Sequence, residues 1–137
     1  MEQNKNIDIA LLVLRVGLAA VFFLFGFHKL SSPSQTTAEI QLIVNMGLGA
    51  VSAINYYLGL TEIILALGLL AGVKTKLVGL ASALLTIMFL GSFLVKFGIS
   101  INPDLYRDVG LTSIGLAIFF AGPGKYSWDN KKSPQTS

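Results

Sequence analysis

The nineteen residues from Leu77 to Val95 carry no charged side chain, and Lys76 and Lys96 stand at their two ends. As a helix at about 1.5 Å per residue they reach roughly 28 Å, close to the ~30 Å hydrocarbon thickness of a bilayer. Two further runs approach the same length. Ile9–Phe27 is broken only by Arg15, and Tyr57–Gly72 is apolar apart from Glu62. Only 12% of the 137 residues are charged, against roughly 25% in soluble proteins. A soluble domain of this size could not cover its surface with so few charges. The chain is therefore read as one all-α integral membrane unit.

Taken in order, a short polar lead precedes the first spanning helix. A cleavable signal peptide is disfavoured, because the apolar run is too long and Phe27–Gln35 offers no small-residue cleavage site. On this helix Asp8, Arg15, Phe22 and Lys29 recur every seven residues and share a face. After a polar break at Ser31–Thr37, Ile40, Leu42, Ile43 and Met46 alternate with Glu39, Gln41 and Asn45. That pattern is too short and polar to span, and predicts an interfacial helix between the first and second spans. The second span places Asn55, Gly59, Glu62 and Ala66 on one face. The third places Gly79, Ser82, Thr86 and Phe93 on its inner side. Asn102-Pro103-Asp104 opens a fourth helix as cap, first-turn proline and dipole-compensating acid. Gly122-Pro123-Gly124 closes it. The expected organisation is a four-helix membrane domain over residues 1–130, followed by a polar tail, 131–137, with no order expected beyond Asn130.

Lysines set the expected orientation. Lys5, Lys74, Lys76, Lys125, Lys131 and Lys132 fall on one side of a four-span bundle, and Lys29 and Lys96 on the other. The richer side faces the cytoplasm, so both termini are expected there, in the cell's inner (cytoplasmic) membrane. The net charge of +3 is not a nucleic-acid signal, because the lysines are scattered between apolar runs without interleaved aromatics. The absence of cysteine excludes thiol redox chemistry and disulfides within this chain. His28 stands alone and makes no metal site. Gly122-Pro123-Gly124 lacks the context of a phosphate loop.

The intramembrane charges are the candidate functional residues, since such groups are costly and turn inward towards partners. Counting ~1.5 Å per residue from Asp8 and from Gly72 brings Arg15 and Glu62 within ~5 Å in height, an expected ion pair. Asp108 comes out higher, meeting Glu62 from above or Arg107, His28 and Lys29 near the outer mouth. Arg107, about 100° around the helix from Asp108, is expected to point outward and not to pair with it. Arg15, Glu62 and Asp108 are thus expected to converge in one polar pocket, with Arg15 beneath Glu62 and Asp108 exchanging protons.

These residues also carry a resemblance. The stretches LLVLRVGLAAVFFLFGFHKL, LGLTEIILALGLLAGVKTKLVGL, YRDVGL and GPGKYSWD, in this order over Leu11–Asp129, resemble the DoxX family of small four-helix membrane proteins. By that resemblance Arg15 is similar to the family's first-helix arginine, and Gly26 and Lys29 to its Gly-x-x-Lys. Glu62 and Asp108 resemble its second-helix and fourth-helix acids, and Gly122, Pro123, Gly124, Tyr126, Ser127 and Asp129 its closing signature. Relatives include the large subunit of an archaeal thiosulfate:quinone oxidoreductase. The resemblance implies a subunit of a membrane-bound, quinone-linked redox complex. Quinone is then the expected cofactor, with Arg15, Glu62, Asp108 and Lys29 around it and Asp108 and Glu62 as catalytic acids. No metal, haem or flavin motif is recognisable, so electrons would pass to a redox-enzyme partner or to the quinone itself. Besides the lipid bilayer and that partner, a homo-oligomer is an expected association. Two other classes fit the same residues: a non-catalytic anchor or scaffold for a redox or stress-response enzyme, and a small-solute or proton transporter. The last is disfavoured because no proline interrupts a span.

Overall fold

The structure, a computed structural model, describes residues 2–132. It contains six helices and, among the described residues, no strand: α1 (Glu2–Ser31), α2 (Ala38–Asn45), α3 (Val51–Ala71), α4 (Thr75–Phe97), α5 (Pro103–Ala121) and α6 (Trp128–Lys132). Three stretches, Gln3–Ser31, Val51–Ala71 and Thr75–Phe97, are long and apolar enough to cross a membrane. Helix α5 lies along α4 over its length but carries Asp104, Arg107 and Asp108 in its first two turns. The short α2 stands where the sequence predicts a helix too polar to span.

The bundle is assembled from two tight antiparallel pairs, each made possible by glycines. A Cβ on Gly26 of α1 would lie 2.6 Å from the Gly59 carbonyl oxygen of α3. On the other side, a Cβ on Gly115 of α5 would lie 3.0 Å from the Gly79 carbonyl oxygen and 2.9 Å from the Ala83 nitrogen of α4. Small residues let backbones approach this closely where lipid supplies no hydrophobic drive for association. Between the pairs lie Leu18, Ala19, Phe22, Ala66, Leu69, Leu111 and Ile118. The Thr86 and Thr112 hydroxyls meet at 2.9 Å and tie α4 to α5 within that interior.

One end of the bundle is closed by the C-terminal segment. The Asp8 carboxylate accepts the Lys125 N–H at 2.8 Å, and the Gly72 carbonyl accepts the Asp129 N–H at 3.1 Å. Asp129 also accepts from the N–H groups of Lys74 (2.8 Å) and Thr75 (2.7 Å), capping the start of α4 from outside its own strand of chain. Lys74 has the left-handed φ of 47°, unusual without glycine, and this carboxylate holds it there. The tail expected without order beyond Asn130 in fact begins inside a helix, α6, which crosses the 130/131 boundary. Residues 133–137 lie outside the described residues.

Candidate functional site: an ionic and aromatic cavity at the open end

Arg15 does not meet Glu62. Its guanidinium is buried and donates to four backbone carbonyls: Leu69 (2.9 Å), Leu70 (3.1 Å), Pro123 (3.1 Å) and Tyr126 (3.3 Å). Carbonyls of the last turn of a helix lack intrahelical partners, and a cation there also opposes the negative end of the helix dipole. Arg15 therefore caps α3 and pins the Gly122–Ser127 turn at the closed end. The depth count failed because Asp8 and Gly72 are not level. Gly26 faces Gly59 and Arg15 faces Leu69 and Leu70, so Gly72 belongs at the height of Arg15. Glu62 then lies about eight residues, or ~12 Å, further along the bundle.

The cation that reaches Glu62 is Lys29, whose Nζ donates to Glu62 Oε1 at 2.8 Å. Side chains on a helix lean towards its N-terminus, so a lysine at the end of α1 reaches back into the bundle. Both side chains are nearly inaccessible, 7% exposed for Lys29 and 0% for Glu62. The second carboxylate oxygen, Oε2, is buried with no hydrogen-bond partner. Lys29 Nζ also lies 3.7 Å from Glu39 Oε1 on α2, and 5.6 Å and 5.1 Å from the rings of Phe25 and Phe89. One ammonium thus links α1, α2, α3 and α4. A comparable cluster forms on α5, where Arg107 Nε donates to Asp108 Oδ1 at 2.9 Å and its NH1 to Asp104 Oδ1 at 2.8 Å. The expectation that Arg107 turns away from Asp108 is thereby overturned: the arm is long enough to fold back across the ~100° step. Its Cζ lies 4.8 Å from the Phe25 ring.

These groups border a cavity of about 400 Å³ at the open end. Phe25, Phe89, Phe93 and Phe97 line it together with Lys29, Glu39, Lys96, Asp104, Arg107, Asp108 and His28. Rings and charges are interleaved, with Lys29 and Arg107 over Phe25 and Lys96 over Phe97. The segment 35–39 runs over it and is fixed from below by Asn55. The Asn55 amide donates to Pro33 O and Gln35 O, each at 2.9 Å. Lys96 Nζ donates to Gln41 Oε1 at 2.8 Å, tying α4 to α2.

Of the residues singled out in the sequence, Lys29 and Asp108 line the cavity, Glu62 stands behind Lys29, and Arg15 is at the opposite end. The single pocket expected for Arg15, Glu62 and Asp108 is not what forms. Sequence reasoning placed Asn55 and Phe93 on inward faces but missed the parts that Glu39, Asn55 and the phenylalanines play at the cavity. Phe89, Phe93 and Phe97 recur every four residues at the end of α4, a stripe that was legible as one helix face. Chemically, the cavity can hold a flat apolar ring against the phenylalanines while polar substituents meet paired charges.

A profile of the DoxX family matches residues 10–99, which takes in α1 from Ala10 onward and all of α2, α3 and α4, and leaves α5 and the Gly122–Asp129 segment outside the matched stretch. No curated protein and no solved structure matches the chain. The match takes in Arg15, Gly26, Lys29 and Glu62 and covers about two thirds of the 137 residues: the chain belongs to the DoxX family.

Proposed function

We propose that this protein is the membrane subunit of a quinone-linked redox complex, and that its open-end cavity holds the quinone headgroup. The observation that carries the reading is the cavity itself. A space of about 400 Å³ is within the range of ligand pockets and pairs four phenylalanines with a paired ionic rim. A quinone headgroup is a flat ring with polar oxygens, and the cavity offers phenylalanine rings and charged groups side by side. Lys29 and Arg107 are the donors available to those oxygens, and Asp108 and Glu39 the acids beside them. When bound, the quinone supplies the electron chemistry, and these side chains orient it and exchange its protons. The headgroup site therefore differs from the one first expected between Glu62 and Asp108 above Arg15. Glu62 acts through Lys29, and Arg15 takes no part in the cavity.

The same reading takes α5 as a fourth span, with both termini on the cytoplasmic side. Purification of the full chain in mild detergent, followed by quinone analysis of the co-extracted lipid, tests it. Near-stoichiometric quinone is expected, and a short-chain quinone should bind the delipidated protein saturably. Replacing the rim residue Phe97 by Ala should weaken that binding roughly threefold to tenfold. If neither endogenous nor added quinone binds, the catalytic reading fails and the protein is an anchor for its partner enzyme.

A further inference from the structure

The polar rim of the cavity is unusual in being internally balanced. Lys29 is bracketed by Glu62 and Glu39, Arg107 by Asp104 and Asp108, and Lys96 is bonded to Gln41. The lining cations Lys29, Lys96 and Arg107 are matched by the lining acids Glu39, Asp104 and Asp108. A free anion or cation entering this space meets its own sign as often as the opposite one. A neutral ligand loses nothing by that arrangement.

Two of the lining carboxylates nevertheless have acceptor capacity to spare. An ionised carboxylate offers about four lone-pair sites. Glu39 is engaged by Lys29 only at 3.7 Å, beyond hydrogen-bonding range, although its side chain is just 14% exposed. Asp108, 3% exposed at its side chain, receives one hydrogen bond from Arg107. Glu39 and Asp108 therefore have room to accept from a ligand that carries O–H donors. A quinone brings two acceptor oxygens and leaves those carboxylates as they are. The reduced headgroup brings two O–H groups, each able to donate to a carboxylate while its oxygen accepts from Lys29 or Arg107.

We infer that the cavity is selective for the reduced, hydroxyl-bearing headgroup: it binds a hydroquinone in preference to the quinone, with Glu39 and Asp108 as the accepting carboxylates. Phe25, Phe89 and Phe93 hold the ring in either oxidation state and do not discriminate. The inference rests on the quinone reading above and deepens it, because it assigns the form of the ligand that the site retains.

The test uses the full chain in detergent and three probes of one skeleton: a decyl-benzohydroquinone under anaerobic conditions, the matching quinone, and the hydroquinone dimethyl ether, which keeps the oxygens but has no O–H. Affinities are read by calorimetry. A hydrogen bond to a charged group is worth enough that the hydroquinone should bind at least about tenfold more tightly than either other probe. The Glu39→Gln variant, checked as folded by its thermal melt, should reduce that ratio to about threefold or less, because it loses more hydroquinone affinity than quinone affinity. Asp108→Asn should lower the ratio in the same direction. Equal or tighter binding of the quinone overturns the inference while the quinone reading stands. A ratio that survives both substitutions overturns the assignment of the acceptors. If none of the three probes binds, the quinone reading has failed and this inference fails with it.

Discussion

Lys29 decides the local electrostatics of this protein, and it does so from the end of a helix where a lysine would ordinarily reach out to headgroups. Its inward turn supplies the cation for Glu62, which has no solvent exposure and only one hydrogen-bonded oxygen. Lys29→Met should therefore destabilise the protein by about 3–5 kcal/mol, because a buried charge is left without its partner. Adding Glu62→Gln should recover much of that loss, and the Lys29/Glu62 double-mutant cycle should show a coupling of ~0.5–3 kcal/mol in detergent melts. The Arg15/Glu62 cycle should be additive, since Arg15 spends its hydrogen bonds on carbonyls at the other end. Coupling in the second cycle and none in the first would return the pairing to Arg15. The sequence made Glu62 conspicuous as an acid in need of a cation but did not say which cation reaches it. Rise per residue fixes height only after the register between two helices is known, and register here is set by Gly26 against Gly59.

At the scale of the elements, most of the inward faces were legible, because the small and polar residues that mark them recur at helical spacing. Asn55, Gly59, Glu62 and Ala66 are all buried on α3, and Gly79, Ser82, Thr86 and Phe93 on α4. The cap at Asn102 is also as expected, its side chain accepting the Asp104 N–H at 2.9 Å. The contacts between distant segments were not legible, since neither the reach of Asp129 to α4 nor the path of 35–39 over the cavity follows from periodicity. The glycine contacts give a sharp comparison. Gly26→Ala would drive a Cβ against backbone and should cost about 1–3 kcal/mol. Gly17→Ala, on the same helix with nothing within 4 Å, should be neutral or slightly stabilising by detergent thermal melts. The closed-end clasp makes a pH prediction. Burial works upward on the Asp129 carboxyl, but the N–H groups of Thr75 and Lys74 outweigh it, with Arg15 assisting, and hold it below the usual carboxylate range. A carboxyl depressed in the folded state stabilises the fold above its unfolded pKa and loses that contribution as pH falls through its folded one. Wild type should lose thermal stability in that acid range more steeply than Asp129→Asn. Parallel curves for the two proteins would show that the clasp does not depend on the charge.

The whole molecule poses the question of α5, which composition alone leaves ambiguous. Its first turns carry Asp104, Arg107 and Asp108, leaving only the thirteen residues Val109–Ala121 uncharged. Those thirteen extend about 20 Å, short of the ~30 Å a span requires. Packing supplies the missing argument. Helix α4 is one of the three stretches apolar enough to cross, and α5 runs antiparallel beside it. The two meet at Gly79 and Gly115 towards one end and at Thr86 and Thr112 further along. A Cβ on Gly122, at the far end of α5, would lie 3.1 Å from Lys76 Cε at the start of α4. On the proposed reading, a helix held against a span over that distance crosses with it. Its charged first turns then belong at the level of Lys29 and Lys96, where the cavity lets Asp108 face protein instead of lipid. The four crossings proposed would put the N-terminus, the α3–α4 turn and the C-terminal clasp on one side, and the lysine excess would assign that side to the cytoplasm. Alkaline phosphatase joined after Gln35 should therefore be active, and the same reporter after Ser137 inactive, with a cytoplasmic reporter giving the complementary pattern. Activity at both positions would mean that α5 does not cross, and activity at Ser137 alone would reverse the orientation of the whole bundle.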